Sequence, residues 1–340
     1  MTRATILTID GGGIRGIIPA RIIAEIEQKT GKAAAELFDL IAGTSTGAII
    51  ALALALPAAE GSKKAKYCGH ELVQLYEKNG QQIFSRSRWH TIKSLGGLNG
   101  PKYEVNGIEG ILHDYFGDFR LHDALTNVLV TSYNTAGPAP AFFKSWRAKD
   151  VSNGWTPAVR NRFDFRLREI ARATSAAPTF FPPLELADLA QGEPKMCLID
   201  GGVFANNPAM CAWAEVPALF PGVDEFLVVS IGTGNDEDKV PYLNAKRWGL
   251  AEWSVPLVKI LFDGVSDTVD YQMQQHLAAN VGRKYYRFQG DLGGRTAMDD
   301  ASGENIQGLL RVAERIISRQ ESMLATVGEE LTKTPGIAAA

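Results

Sequence analysis

The stretch Gly43-Thr44-Ser45-Thr46-Gly47 decides the predicted fold of this chain, because it places a serine between two apolar segments. The residues before it, Leu37 to Ala42, are mostly apolar, which is typical of a buried strand. The residues after it, Ala48 to Leu56, are strong helix formers, and Pro57 ends them. A serine on a sharp turn between a buried strand and a buried helix forms a nucleophile elbow, which exposes the serine hydroxyl at the end of the sheet.

The glycines of this motif, Gly43 and Gly47, lack the Cβ atoms that would clash at such a turn, and Thr46 follows the serine directly. The same pattern also arises by chance in a chain with 34 glycines, where it marks an ordinary strand-to-helix turn. The strand and helix on either side favour the elbow. We therefore predict that Ser45 is a nucleophile.

A second glycine-rich turn, Gly11-Gly12-Gly13-Ile14-Arg15-Gly16, follows the first predicted strand, Thr5 to Asp10. Isoleucines then recur at helical spacing up to Thr30, and Gly31 is the predicted C-cap. A strand, a glycine loop and a helix in this order point backbone N–H groups at an anion. The loop is therefore a candidate anion site.

Two kinds of anion fit this loop. Its first, third and sixth residues satisfy G-x-G-x-x-G, which binds dinucleotides when an acidic residue ends the second strand. Here the second strand ends in Ala42 and the serine motif, which disfavours a dinucleotide. We predict instead that the amides of Gly12 and Gly13 form an oxyanion hole for a tetrahedral intermediate at Ser45.

A serine hydroxyl needs a base to take its proton. The five histidines lie in helix-like or loop-like surroundings and none follows a core strand, so a Ser-His-Asp triad is not favoured. Asp200 follows the apolar strand Met196 to Ile199 and precedes Gly201-Gly202, at the kind of strand end where open α/β sheets gather their active sites. Its carboxylate is the predicted general base, and the alternative is an aspartate that only begins a turn.

Composition and charge exclude several classes of function. The 340 residues, 45% hydrophobic and 21% charged, are those of a globular protein, and a net charge of −3 gives no reason to expect DNA or RNA as a partner. Three cysteines form no C-x-x-C pair, and no acidic or histidine cluster has metal-ligand spacing, so we predict reduced thiols, no metal and no cofactor. The N-terminus lacks a signal-peptide pattern and the longest apolar run is too short to span a bilayer, which predicts a soluble cytoplasmic protein.

We predict one domain over residues 1–330 and a flexible tail over 331–340, because no repeat or linker divides the chain. Glu304 to Thr326 is the predicted last helix. Ser175 to Pro183 suits a rigid wall over an apolar cleft or a buried helix terminus. Ser85 to Gly100 carries Trp89, which is either a loop anchor or part of a lid. The repeat of apolar residues from Leu250 to Leu261 on one helical face predicts a packing surface, with membrane docking or gating as the alternative.

Three ordered blocks, Asp10 to Gly16, Gly43 to Gly47 and Asp200 to Gly202, resemble those of the patatin-like phospholipases, and the similarity extends from Thr5 to beyond Gly234. The resemblance implies an α/β fold, a three-layer sandwich with a mostly parallel central sheet, related to the elbow architecture of α/β-hydrolases. It also implies hydrolysis of acyl esters in lipids by a serine–aspartate dyad without histidine. The residues that would carry this chemistry are Ser45 and Asp200, with an oxyanion hole from Gly11, Gly12 and Gly13 and with Arg15 beside it, steadying the loop or meeting a lipid phosphate.

The resemblance further implies peripheral contact with a phospholipid membrane surface. Among patatin-like proteins, the compact form of this chain is similar to bacterial effectors that cyclic nucleotides activate in antiphage defence. A cyclic dinucleotide activator would then meet Lys63, Lys64 or Lys66, or the loops after Gly234. An ungated lipid acyl hydrolase or esterase, a protease or acyltransferase with the same elbow, a weakly catalytic binding protein, and a homo-oligomer all remain open.

Overall fold

The computed structural model describes residues 3–84, 100–149, 162–187, 195–235, 240–278, 280–295 and 297–333. Within these ranges, eight strands form a single sheet in the order β5-β6-β3-β2-β1-β7-β8, and β4 pairs with β3. Strands β3, β2, β1, β7 and β8 run parallel, as the long apolar strands predict. The strands are β1 (Arg3–Ile9), β2 (Leu40–Thr44), β3 (Asn127–Asn134), β4 (Ala139–Lys144), β5 (Leu184–Leu186), β6 (Met196–Asp200), β7 (Glu225–Ile231) and β8 (Arg283–Phe288).

Helices cover both faces of the sheet, so the predicted three-layer α/β sandwich with a mostly parallel central sheet is confirmed. In the described ranges, the helices are α1 (Ile17–Thr30), α2 (Ala34–Leu37), α3 (Thr46–Leu54), α4 (Gly69–Ile83), α5 (Val105–Phe116), α6 (Ser145–Lys149), α7 (Leu167–Thr174), α8 (Gly202–Ala205), α9 (Ala209–Leu219), α10 (Tyr242–Ala245), α11 (Leu250–Ala278), α12 (Gly303–Arg319) and α13 (Glu321–Lys333).

The core is divided between the two faces. The larger hydrophobic cluster joins one face of the sheet to α1, α3, α4, α5, α7, α12 and α13, and the smaller cluster joins the other face to α9 and α11. Helix α3 is apolar on nearly every side and buried, as a helix in the middle of such a core has to be. Helix α1 ends as predicted, since Gly31 adopts a left-handed conformation (φ 69°) and donates its N–H to the Glu27 carbonyl at 2.8 Å.

The pairing along β3 brings two strand ends together. Strand β2 runs parallel to β3 and ends with Thr44 opposite Thr131, whereas β6 runs antiparallel and ends with Asp200 opposite Ser132. Strand β4 pairs with β3 along both of these stretches, so β2 and β6 must share the other side of β3 and meet end to end. The residues that follow Thr44 and end β6 are therefore neighbours.

Asp200 lies at the carboxyl end of β6, the buried strand that we predicted to end there. The sequence did not specify the direction of this strand, and β6 is antiparallel to β3. Asp200 still reaches the carboxyl edge of the parallel strands, because β6 is short and pairs with β3 beyond the end of β2.

Helix boundaries differ from the sequence prediction at two places. Leu37 closes the short helix α2, so strand β2 begins only at Leu40. The predicted last helix is two helices separated at Gln320, whose side chain donates to the Gln289 carbonyl at 3.0 Å. Helix α13 continues to Lys333, past the predicted domain end at residue 330, and the predicted tail beyond 333 lies outside the described residues. The described helices include none with the length and apolar character that crossing a bilayer requires.

Gly47→Ala should destabilise the protein by roughly 1–3 kcal/mol or more, because an alanine Cβ would lie 2.2 Å from the Ile9 carbonyl oxygen and 2.6 Å from that of Asp10. Both atoms belong to backbone that cannot rotate away. Thermal unfolding followed by circular dichroism measures the change. The matched control is Gly110→Ala in α5, where a Cβ meets nothing within 4 Å and should stabilise by about 0.5–1 kcal/mol. An unchanged melting temperature for Gly47→Ala would contradict this account of the elbow.

Candidate active site

The end-to-end meeting of β2 and β6 brings Ser45 and Asp200 into direct contact. The Ser45 hydroxyl donates a hydrogen bond to Asp200 Oδ2 at 2.7 Å, and both residues are buried. The second carboxylate oxygen, Oδ1, accepts the N–H of Gly202 at 2.7 Å. The two residues that the sequence marks as nucleophile and base are thus hydrogen-bonded to each other, as a nucleophile and its base need to be.

Ser45 adopts a backbone conformation that side chains rarely tolerate, with φ 54° and ψ −124°. The surrounding backbone fixes it there, since the Ser45 N–H donates to Thr174 Oγ1 at 2.8 Å and the Thr174 hydroxyl donates to the Thr131 carbonyl at 2.7 Å. Gly43 leaves no room for a Cβ, which would lie 2.4 Å from the Gly47 carbonyl oxygen. These contacts stabilise the sharp turn that holds the hydroxyl outward.

The glycine loop presents two unused amides. The structure records no acceptor in the described part of the chain for the N–H of Gly12 or Gly13. Gly11 differs from the prediction, because its N–H donates to the Asn206 carbonyl at 3.0 Å and its space is limited by Ser45 Cβ. Gly11 therefore positions the loop against the elbow, and within the described part of this loop the N–H groups of Gly12 and Gly13 could still bind an anion.

Contacts from the late part of the chain hold this loop in place. Thr233 donates its hydroxyl to the Gly11 carbonyl at 2.8 Å, and the Met298 carbonyl accepts the N–H of Ile14 at 2.8 Å. Gly13 has a φ of 60°, and a Cβ there would lie 2.1 Å from the Met298 carbonyl oxygen. The loop is thus clamped by residues that lie far along the chain, beyond the sequence motifs.

Arg15 lies under the loop rather than at its surface. Its side chain is only 1% exposed, and its Nε donates to the Gly12 carbonyl at 3.3 Å. Burial lowers the pKa of this guanidinium, while the carboxylates of Asp263 and Asp10 act in the opposite direction. Of the two predicted roles, this position supports steadying of the loop, and it keeps Arg15 away from a lipid phosphate.

Asp10, the last residue before the loop, is held by an arginine that the sequence did not single out. Arg287 on β8 binds both Asp10 carboxylate oxygens, at 2.9 and 2.5 Å, and also donates to Ser230 Oγ at 2.8 Å. Asp10 is buried and the Arg287 side chain is only 10% exposed, and the bidentate geometry satisfies both charges. This ion pair fixes the start of the glycine loop to the sheet.

The electrostatic setting of Asp200 favours a base that works near neutral pH. Burial raises the pKa of Asp200 to about 7, and the hydrogen bonds from Ser45 and Gly202 act in the opposite direction. No cation of the described residues forms an ion pair with Asp200, so desolvation is the largest influence on its pKa. A carboxyl group with this pKa is matched to accept and return a proton at physiological pH.

Ser45 and Asp200 both line an apolar cavity that is partly open to solvent. Four residues of the predicted wall, Ser175, Ala177, Phe180 and Phe181, line it, so this segment forms a wall of the cleft. The other lining side chains come mainly from α3, α4, α5 and α11: Ile49, Leu75, Tyr76, Ile83, Phe84, Ile108, Ile111, Leu112, Tyr115, Phe116 and Phe262.

A hydrogen bond between Thr46 Oγ1 and the Tyr76 hydroxyl joins the elbow to the cavity wall. Gly16, at the end of the glycine loop, packs against both groups, because a Cβ there would lie 2.3 Å from Thr46 Oγ1 and 2.4 Å from the Tyr76 oxygen. Burial raises the pKa of Tyr76, so this hydroxyl stays protonated. The helical spacing of Tyr76 in the sequence indicated only that it is a core residue.

Some predicted features lie elsewhere. Of the histidines that the structure describes, none lines the cavity, and His122 is bound to Asp164 at 2.8 Å instead. The described ranges hold no group of three or more acidic, histidine or cysteine residues placed to bind a metal ion. Trp89 and the possible lid, except Gly100 at its end, lie outside the described residues.

Comparisons with known proteins place the chain in a family. The family model described as Patatin-like phospholipase matches residues 7–213. Patatin-like protein 2 of Oryza sativa subsp. indica is 33% identical over 94% of this chain and 84% of its own length, and Patatin-T5 of Solanum tuberosum is 30% identical over 94% and 84%. The solved structure of human GIVD cytosolic phospholipase A2 superimposes with a TM-score of 0.49 and 12% identity, over 97% of this chain and 60% of that one. This chain belongs to the patatin-like phospholipase family.

Proposed function

We propose that this chain is a phospholipase A-type serine acyl hydrolase that releases fatty acids from membrane phospholipids through a Ser45–Asp200 dyad. The observation that carries the proposal is the 2.7 Å hydrogen bond from Ser45 Oγ to a buried carboxylate in the wall of an apolar cavity. Membership of the patatin-like phospholipase family supports lipid esters as the substrate class. Contact with the membrane is peripheral in this proposal.

The chemistry runs in two steps. Asp200 takes the Ser45 proton while Oγ attacks the ester carbonyl carbon, and the amides of Gly12 and Gly13 bind the oxyanion that forms. The tetrahedral intermediate collapses, and Asp200 returns the proton to the departing lysophospholipid oxygen. Water then attacks the acyl-serine, with the same carboxylate as base, and Ser45 regains its proton as the fatty acid leaves.

The cavity supports a long acyl chain as the group transferred to Ser45. Its lining is almost entirely aliphatic and aromatic, and Phe84 in this lining packs against Tyr103 with ring centroids 5.5 Å apart. A peptide or a short polar ester would leave this apolar surface in water, which favours a lipid hydrolase over a protease with the same elbow.

Gating by a cyclic dinucleotide remains our proposal for regulation, and one contact supports it. The basic loop Ser62 to Lys66 touches the cavity wall, since the Lys66 ammonium donates to the Tyr115 carbonyl at 3.2 Å and Tyr115 lines the cavity. Lys63 and Lys64 on the same loop are exposed. An anion bound by these lysines would have a direct physical route to the acyl site.

Ser45→Ala should lower fatty acid release from phospholipid vesicles by on the order of 10⁴-fold or more, because the attacking oxygen is gone. Asp200→Asn should lower it by roughly 10²–10⁴-fold, the usual contribution of a general base. Release is followed by chromatography of free fatty acids. Ser322→Ala and Asp114→Asn, at exposed positions whose side chains do not line the cavity, are the matched controls and should retain wild-type rates. Wild-type release from folded Ser45→Ala would refute the dyad.

The rate should depend on pH through Asp200. Its pKa is raised to about 7, so below that pH the carboxyl is protonated and cannot accept the Ser45 proton. We expect kcat/KM for a soluble short-chain ester to rise as pH increases from 5 to 8 and to level off above about 7. A rate that stays flat from pH 5 to 8 would exclude Asp200 as the titrating base.

If the gating proposal holds, one member of a panel of cyclic dinucleotides should raise vesicle hydrolysis by at least tenfold. Lys63→Ala with Lys64→Ala should abolish that activation and leave the basal rate unchanged, because neither side chain touches the cavity. Initial rates with and without each nucleotide measure the effect, and sedimentation velocity reports the oligomer size. A panel that changes neither rate nor size contradicts gating and leaves the dyad untouched.

A further inference from the structure

Exposed hydrophobic side chains are concentrated in one short part of the chain. Across the described residues, nine large hydrophobic side chains are exposed, and three of them, Phe142, Tyr271 and Val281, are scattered. The other six lie within residues 240–261, which we call the tip: Val240, Tyr242, Leu243, Leu257, Ile260 and Leu261. Scattered apolar residues need no explanation, but a cluster on a water-exposed segment marks an interaction surface.

The tip is an ordered helix–turn–helix. Helix α10 is joined to α11 by a turn in which the N–H groups of Lys246 and Arg247 bond to carbonyls of α10. The rings of Trp248 and Trp253 meet edge to face with centroids 5.1 Å apart. The Gly249 N–H donates to the Glu252 carboxylate at 2.9 Å at the start of α11. The exposed apolar residues therefore stand on a defined framework.

The charge of the tip is opposite to that of the chain. It contains three basic residues, Lys246, Arg247 and Lys259, and one acidic residue, Glu252, whereas the whole chain has a net charge of −3. Lys246 and Arg247 are exposed beside the apolar residues, and the Lys246 ammonium lies 5.6 Å from the centre of the Tyr242 ring. Apolar, aromatic and basic side chains in one segment are the composition that binds at the headgroup level of a bilayer.

The tip is also continuous with the acyl cavity. Phe262, the residue that follows the tip on α11, is only 3% exposed and lines the cavity. Its ring packs on Gly202, where a Cβ would lie 2.9 Å from it, and the Gly202 N–H binds Asp200. The exposed residues Leu257 to Leu261 thus lie within about one and a half helical turns of Phe262, which lines the cavity.

We propose that the tip docks onto the surface of an anionic phospholipid bilayer and so holds the cavity at the membrane. The reason for docking rests on the proposed function, phospholipid hydrolysis, but vesicle binding can be tested without hydrolysis. The exposed apolar residues insert among the headgroups, and Lys246 and Arg247 bind the anionic lipids. A second copy of the chain fits this surface less well, because a two-fold contact would bring the basic residues of both copies together.

Vesicle flotation tests the docking directly, with Ser45→Ala as the background so that no lipid is consumed. Leu257→Asn with Leu261→Asn should weaken binding to phosphatidylcholine–phosphatidylglycerol vesicles by at least tenfold, because two apolar side chains leave the interface. Lys246→Glu with Arg247→Glu should weaken binding to the same vesicles by at least about twentyfold, since each basic residue near an anionic surface contributes about fivefold. The charge-reversed protein should differ little from its parent on pure phosphatidylcholine. Val281→Asn, exposed and outside the tip, is the matched control and should bind normally.

Two further measurements separate the possible failures. With Ser45 present, both tip variants should hydrolyse a soluble short-chain ester at the parental rate, while losing release from vesicles. Equal vesicle binding by parent and both tip variants overturns the docking proposal, whatever the hydrolysis assays show. Sedimentation velocity identifies the other occupant: a parental dimer that the Leu257→Asn, Leu261→Asn variant converts to a monomer would assign the tip to a second copy and also overturn the proposal.

Discussion

The site depends on the way in which strand β3 divides one of its sides between two strands. Residues 127–131 of β3 pair with β2, and residues 132–134 pair with β6. Thr44 at the end of β2 and Asp200 at the end of β6 therefore lie opposite two successive residues of β3. Because side chains alternate between the two faces of a sheet, a slip of β6 by one residue would turn Asp200 away from Ser45. The 2.7 Å contact between the Ser45 hydroxyl and the Asp200 carboxylate is thus a consequence of strand register.

The backbone strain at Ser45 and the burial of the Asp200 carboxyl both cost folding free energy, and hydrogen bonds from neighbouring residues offset that cost. Ser45 is held at a positive φ, and the Asp200 carboxyl is fully buried with its pKa raised by desolvation. Thr174 fixes the Ser45 amide, and the Gly202 N–H binds the carboxylate. Among the described residues Asp200 has no cation partner and is buried, and a carboxylate in such a setting is a stronger base than one in water, which is what the proposed dyad without histidine requires.

The last third of the chain completes the site, although it carries none of the three motifs. Arg287 anchors Asp10, and the Met298 carbonyl limits the space at Gly13. Phe262 closes part of the cavity from α11, the helix whose start carries the exposed tip. One long helix therefore joins the exposed tip, the surface that we propose to meet the membrane, to the wall of the apolar cavity.

The sequence by itself determined the elbow, the glycine loop, the long parallel strands and the choice of Ser45 and Asp200 as candidate residues, because each depends on residues adjacent in the chain and on local periodicity. Only the tertiary structure decided what depends on distant partners. The antiparallel direction of β6 follows from pairing with β3, the Gly11 amide is used by Asn206, and Arg15 is buried beneath the loop. Hydrogen bonds and burial between residues far apart in sequence leave no periodic signal, so no local pattern could have revealed them.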